Sequence, residues 1–597
     1  MSTQAIDGGT RRTPLQKALF LVVVALALFL LPYLFPVKPS IGLSYLAGYS
    51  NRVAIVILVV GAALFAFFTK GEFATIETQD SHLPVWTLTA ALVITTLLCA
   101  VQRHSTLHTS PGMGGLYHLD RQQTLAAGQT LYRGFEFMYG PLLICPGVWM
   151  AQLFHTSQVN GYYAWLLVQW LVGVVMLWVV VRLIDLPMRF RPLFFALMLL
   201  AHLPEIADEG SNYTTFRPHV AILLALLVYA VWKRTGSAWK TSAMAVLAVG
   251  LGLAVSMEQA IGLEFGLAAY LVLLAWWNRE KFAWSAVALF FLGSATCIGL
   301  AARSGMFISF KAWTAGGLYF PLVPSTNNLL RLLPYIVAGC LFYRTLLRRQ
   351  FDSVAIPLTL VGVPMLPYAL GRCDFSHIGG ATPLFYLGVA GIFAMPSIRR
   401  WWIPLFLGVG LVLTYMFNNI GALDRETWRV ERHFGLIVAD PLPQVRIVPV
   451  AHPPATDDIA PIPESDLPCD RTYFSPTLIP SPLSPFRPSC LDRGYYRGIE
   501  DNVISPESIT RKVDEMRQRP NEPLLIQNMP FALLFRTGET NMNTVHPLEM
   551  ALVAPPVRNT PVNFDPIRSY IETHYTPGPL VVRNWLQIWY PIATGQK

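Results

Sequence analysis

Between residues 102 and 154 the chain carries two acids, Asp120 and Glu136, accompanied by His118, Arg121 and Arg133. A carboxylate beside a membrane boundary can serve as general base toward a hydroxyl or amine. The two guanidinium groups present paired N–H donors that match phosphate oxygens. All five lie in GGLYHLDRQQTLAAGQTLYRGFEFMYGPLL, residues 114–143. Within it Leu119, Leu125, Ala126 and Leu131 alternate with polar residues, predicting a short amphipathic helix on the membrane with Asp120 at its start and Gly128 at its end. Tyr139 joins this set as a substrate contact. Asp208 and Arg217 in EIADEGSNYTTFRPH, Arg372, Asp374 and His377 in GRCDFSH, and Lys311 supply further polar groups at helix ends. Cations there could bind a phosphate leaving group; the plainer reading of each is an interfacial anchor or a helix cap. Glu258, in AVSMEQAIG, is either a functional charge at membrane depth or a solvated helix end. His104 and His108 stand four apart without a third ligand at a set distance, so no metal is expected.

The elements that must position these residues are written in the composition. Of 597 residues, 53% are hydrophobic and 13% charged, against the roughly 25% charged of a soluble protein, which excludes an ordinary soluble enzyme. The +9 net charge is distributed as small Lys and Arg clusters between apolar runs, a record of membrane orientation rather than of nucleic-acid binding. Apolar runs near the ~20 residues needed to cross hydrocarbon occupy 18–36, 53–69, 85–101, 162–181, 192–204, 219–232, 242–257, 260–277, 282–302, 329–346, 354–370, 382–397 and 401–418. That predicts about thirteen crossings. The shorter run 139–154 has two prolines and a glycine. The basic clusters, including Arg182, Arg191, Lys233, Lys240, Lys281 and Arg344, stay on one side only if 139–154 does not cross. It is therefore read as an in-plane or re-entrant helix. The N-terminus is then cytoplasmic, 18–36 is an anchor rather than a cleaved signal, and loops 102–138, 205–218, 303–328 and 371–381 are outside.

Residues 1–420 thus read as an all-α polytopic bundle whose outer loop occupies 102–160, and residues 421–597 as an extracytoplasmic region. From 441 to 490 there are 13 prolines, predicting an extended, irregular linker over 421–500. The segment 501–597 predicts a small α/β domain. Ser505-Pro506 opens a helix with Ile509, Val513 and Met516 on one face, PLLIQ (523–527) and PLVV (579–582) are strands, and Ile567, Tyr570 and Ile571 mark a second helix. The seven cysteines form no CxxC pair; Cys469 and Cys490 either close a disulfide in an oxidising exterior or are two unrelated thiols.

The order of an acid, a short helix ending in A-x-G, then L-Y-R-x-F-E-F-x-Y-G-P-L resembles the first outer loop of the GT-C superfamily of integral-membrane glycosyltransferases, which includes protein mannosyltransferase-like and aminoarabinose-transferase-like enzymes. The resemblance implies a bundle of about a dozen helices, a polyprenyl-phosphate-linked sugar as donor, Asp120 as base of an inverting displacement and Glu136 as a second acid shaping the pocket. This loop lacks a D-x-D pair, so the resemblance implies no divalent metal and no other cofactor. The expected function is sugar transfer to an envelope acceptor, whether lipid, glycan or protein, on the outer face of a prokaryotic plasma membrane. The partners are then membrane lipid and the lipid-borne sugar. Two other classes stand beside it: a transporter or flippase for an amphiphilic solute, and a non-catalytic assembly scaffold.

Overall fold

The protein is described here by a computed structural model covering residues 14–35, 51–68, 83–106, 113–278 apart from 134, 136, 185 and 187, 281–315, 326–347, 352–367, 382–394, 473–475, 496–498, most of 510–527, 565–581 and 586–592. Helices α1 (Pro14–Leu30), α2 (Asn51–Phe68) and α3 (Val85–Thr106) are followed by α4 (Met113–Ala126) and the short α5 (Cys145–Leu153). Then come α6 (Gln158–Leu183), α7 (Arg191–His202), α8 (Phe216–Thr235), α9 (Ala238–Val255), α10 (Met257–Trp277) and α11 (Trp284–Ser304). The helical half continues with α12 (Met306–Ala315), α13 (Thr326–Leu347), α14 (Ala355–Gly362) and α15 (Thr382–Ala394).

Six described helices, α3, α6, α8, α9, α10 and α11, are long and apolar enough to cross a membrane. The expected count of thirteen goes beyond these six. Helix α7 has 12 residues and α14 has 8, roughly 18 and 12 Å, so neither covers ~30 Å of hydrocarbon alone. Helix α5, within 139–154, has 9 residues, about 14 Å. The expected crossing 401–418 lies outside the described residues.

Turn chemistry sets the hairpins. Gly236 takes φ +57 to end α8, as a residue without Cβ can, and the Ser237 hydroxyl accepts from the Lys240 N–H to start α9. Helices α9 and α10 are separated by one extended residue, Ser256. Helix α9 packs on α8, α10 and α11; α6 packs on α5 and α8; α13 packs on α15 and α2. Trp170, Phe194, Tyr270 and Phe290 are fully enclosed between them. On the outside, Val93, Leu97 and Val101 of α3 and Leu292 and Leu300 of α11 are bare, an apolar coat that a bilayer solvates and water does not.

The C-terminal region forms a five-stranded sheet in the order β2-β1-β3-β5-β4, from β1 (Tyr473–Ser475), β2 (Tyr496–Gly498), β3 (Leu524–Gln527), β4 (Tyr575–Val581) and β5 (Leu586–Pro591), with α16 (Asp565–His574) preceding β4. The expected strands 523–527 and 579–582 overlap β3 and β4, the expected second helix is α16, and Val513 and Met516 are buried. Strand β1 lies inside the segment expected to be irregular. Its three residues, YFS, contain no proline and pair in parallel with both β2 and β3, so tertiary partners override the composition around them. Cys469 and Cys490 lie outside the described residues. Strand β2 rests against α4.

Candidate active site at the α4 end of the bundle

Helix α4 is the element on which the carboxylate reading turns. His118, Leu119 and Gln122 are buried along one face, the i, i+4 spacing of a helix seated on protein. The Gln122 amide donates to the Gln158 carbonyl at 2.8 Å and to its side-chain oxygen at 3.1 Å, tying α4 to the start of α6. A β-carbon at Gly147 would overlap the Gln122 amide, so α5 approaches closely through that glycine. Two expectations are corrected here. The helix packs on α5 and α6 rather than lying on lipid alone. It also begins at Met113, so Asp120 sits in mid-helix and not at the start. Gly114 and Gly115 would each cost about 1 kcal/mol in an isolated helix; packing of the buried face carries the helix through them. The Asp120 side chain lies outside the described atoms.

Four residues from four segments stand in a column that begins on α4 with His118. The His118 ring stacks on Tyr139 with centroids 5.6 Å apart. The Arg217 guanidinium lies 4.8 Å over the same Tyr139 ring, a cation–π contact. Arg217 pairs in turn with Glu258, donating from Nε to Oε1 at 2.8 Å and also from Nη2. Glu258 is 4% exposed, which settles its reading: it is a buried, paired charge and not a solvated helix end. Such a pair is neutral or mildly stabilising when intact and costly to break, because the survivor is left charged in a medium of low polarity. Arg121 is buried with its guanidinium 4.8 Å from the Tyr117 ring.

The backbone around Tyr139 is sewn to the α9–α10 break. Tyr139 bridges Ser256, and the Gly140 N–H donates to the Val255 carbonyl at 2.8 Å. A β-carbon at Gly140 would overlap the Ala254 carbonyl, so only glycine permits this approach. The Tyr132 hydroxyl donates to the Tyr139 carbonyl at 2.8 Å, and burial pushes that hydroxyl's pKa up, keeping it a neutral donor. Ser309 of α12 holds Phe137 at both ends, accepting from its N–H at 2.7 Å and donating to its carbonyl at 2.9 Å. Arg133 reaches the end of α11, donating to the Arg303 carbonyl at 2.6 Å. Both arginines border a cavity of about 640 Å3 between α9 and α11.

A second polar group lies deeper. His219 donates from Nδ1 to the Thr215 carbonyl, which leaves Nε2 to accept from the Tyr386 hydroxyl at 2.5 Å. His202 faces His219 edge-on at 5.3 Å and meets Glu205 at 3.3 Å. This group joins α7, α8 and α15; nothing in the local sequence signals it, since Tyr386 is 167 positions from His219.

Of the residues singled out in the sequence, the structure brings His118, Tyr139 and Arg217 together, sets Arg121 beside them on α4, and places Arg133 at the cavity. Asp208 closes a 3-10 turn, Leu203–Asp208, with its side chain outside the described atoms, as is that of Lys311. Glu136, Arg372, Asp374 and His377 lie outside the described residues. Among the described residues no cluster of His, Cys, Asp and Glu suits a metal ion.

No protein-family model matches the sequence, and no curated protein matches it. Among solved structures, a crystal structure of the Archaeoglobus fulgidus oligosaccharyltransferase, tethered through a disulfide bond to an acceptor peptide containing the NVT sequon, is similar at 14% identity and a TM-score of 0.40. The likeness covers 74% of this chain and 69% of that one. At that TM-score it is a loose superposition that assigns neither fold nor activity.

Proposed function

We propose that the chain is a membrane glycosyltransferase that moves a sugar from a polyprenyl-phosphate-linked donor to an envelope acceptor at the outer face of the plasma membrane. The observation that carries the reading is the placement of α4. This helix bears Asp120, sits on the polar column at one end of the bundle, and has strand β2 of the C-terminal sheet against it. A lipid-borne donor and a water-borne acceptor would meet there. Arg182 closes α6, Lys233 and Arg234 close α8, Lys240 opens α9 and Arg191 caps the Arg182 and Leu186 carbonyls at the opposite helix ends, while Arg103, Arg133, Arg217 and Arg303 stand at the α4 end.

In this reading Asp120 takes the proton of the acceptor hydroxyl or amine. The acceptor atom bonds to the anomeric carbon, the bond from that carbon to the phosphate oxygen breaks, and polyprenyl phosphate leaves with its charge stabilised by arginine. The C-terminal domain, through β2, positions the acceptor. The test is transfer from radiolabelled polyprenyl-phosphate hexoses and pentoses by the full chain in vesicles. Asp120→Asn is expected to lower transfer by about 10²- to 10⁴-fold while the protein still inserts. Unchanged transfer removes Asp120 from the mechanism. Absence of transfer by the parent chain, with lipid-linked sugar crossing the bilayer, replaces the enzyme by a carrier.

A further inference from the structure

We propose that the cavity between α9 and α11 is a lateral binding site for the phosphate of a membrane lipid. Its walls are apolar, formed by Gly250 and Leu253 from α9 and by Cys297 and Leu300 from α11. Leu300 is 64% exposed on the bare apolar flank of α11, so the cavity adjoins a face suited to lipid. Its volume, about 640 Å3, falls within the few hundred to 1,000 Å3 typical of small-ligand sites.

The rim has opposite character. Arg133 and Arg303 are both exposed and both line the cavity, and the Arg133 fork donates to the Arg303 carbonyl, so two cations border one mouth. Among the described residues neither is paired with a carboxylate. An anion held at this mouth would be met by both cations. A single arginine at a helix C-terminus would be explained by snorkelling and by the helix dipole. The second is delivered from a separate loop, and the fold provides for it. Gly305 ends α11 at φ +95, and a β-carbon there would stand 3.2 Å from Arg133 Cγ, so the glycine gives Arg133 its seat. Apolar walls below two guanidinium groups match an amphiphile whose head is a phosphate, which arginine grips bidentately.

Two lipids offer this chemistry: a polyprenyl phosphate and an anionic glycerophospholipid. The site does not require that the chain transfer sugar. The test uses the full chain in nanodiscs with diazirine-tailed probes (polyprenyl monophosphate, phosphatidic acid and a phosphate-free prenol), reading adducts on 250–254 and 297–304 by peptide mass spectrometry. Phosphate probes are expected to label these segments about tenfold more than the prenol, with the excess lost in Arg133→Gln/Arg303→Gln. Filling the cavity with Ala254→Trp should abolish the adducts with both arginines retained, and a melting scan confirms that each variant is folded. Preference for polyprenyl monophosphate or for phosphatidic acid identifies the source; either supports the site. Equal labelling by the prenol, or an excess that survives loss of both arginines in folded protein, overturns it. Sugar transfer is scored separately, so its absence does not bear on this result.

Discussion

The two ends of the helical bundle hold their ion pairs in opposite ways. At the α4 end Glu258 and Arg217 are buried against each other, with His118 and Tyr139 stacked above them. At the far end Lys233 meets Asp352 at 3.3 Å with side chains 45% and 68% exposed, and buried Arg191 is held by backbone carbonyls. Burying an ion pair is costly to arrange and yields little net stability, whereas exposed pairs cost almost nothing and contribute almost nothing. A chain that only had to fold could have used the second style throughout. The difference marks the α4 end as the one where an ion pair is held in place by burial.

This contrast can be broken by substitution. The largest effect is expected from Arg217→Met, which leaves Glu258 buried without its partner. We expect a loss of about 3–5 kcal/mol, read by thermal unfolding in detergent; a change below 1 kcal/mol, on the order of an exposed pair, would mean that the ion pair is not buried. Next comes Gly140→Ala, whose methyl would press on the Ala254 carbonyl. Overpacking of this kind costs about 1–3 kcal/mol, and here it should also displace Tyr139 and quench any activity that depends on α4. At the far end Ser237→Ala removes the cap that accepts from the Lys240 N–H and should cost about 1 kcal/mol. The smallest effect belongs to Lys233→Ala, between about 0 and 1 kcal/mol and fading with added salt. An effect of Lys233→Ala equal to that of Arg217→Met would erase the distinction between the ends.

Much of the helical half was legible because hydrophobic runs need no partner to declare themselves. The expected runs 242–257 and 260–277 fall on α9 and α10, with the break at Ser256, two residues earlier than the expected gap at 258–259. Helix α4 was visible as an amphipathic stretch ended by Gly128, which takes φ +91. The apolar pattern that begins at Leu119 puts its start too late; the helix runs from Met113 through Gly114 and Gly115, carried by contact with α5 and α6. The C-terminal strands were half legible. PLLIQ is apolar enough to announce β3, while β1 and β2 are three residues each and exist only through pairing with each other and with β3.

The site divides in the same way. His118, Tyr139, Arg133 and Arg217 were singled out as polar or aromatic groups in loops and helix ends beside membrane runs, where Tyr and Arg also serve as plain anchors. Their partners were not readable. Glu258 is 41 positions from Arg217, and the carbonyl that Arg133 bonds belongs to a residue 170 positions away. Neither separation has a periodicity that a sequence can display. The cavity between α9 and α11 was equally silent, because an absence of atoms is a property of packing alone.

The account rests on α4 facing the outside of the cell, and one measurement addresses that most directly. Asp120→Cys, placed in a variant with its native cysteines replaced by alanine, is treated in intact cells with a membrane-impermeant maleimide. Labelling from the exterior without permeabilisation is the predicted result. Labelling only after the cytoplasmic face is opened would put the carboxylate on the wrong side of the membrane and contradict the account.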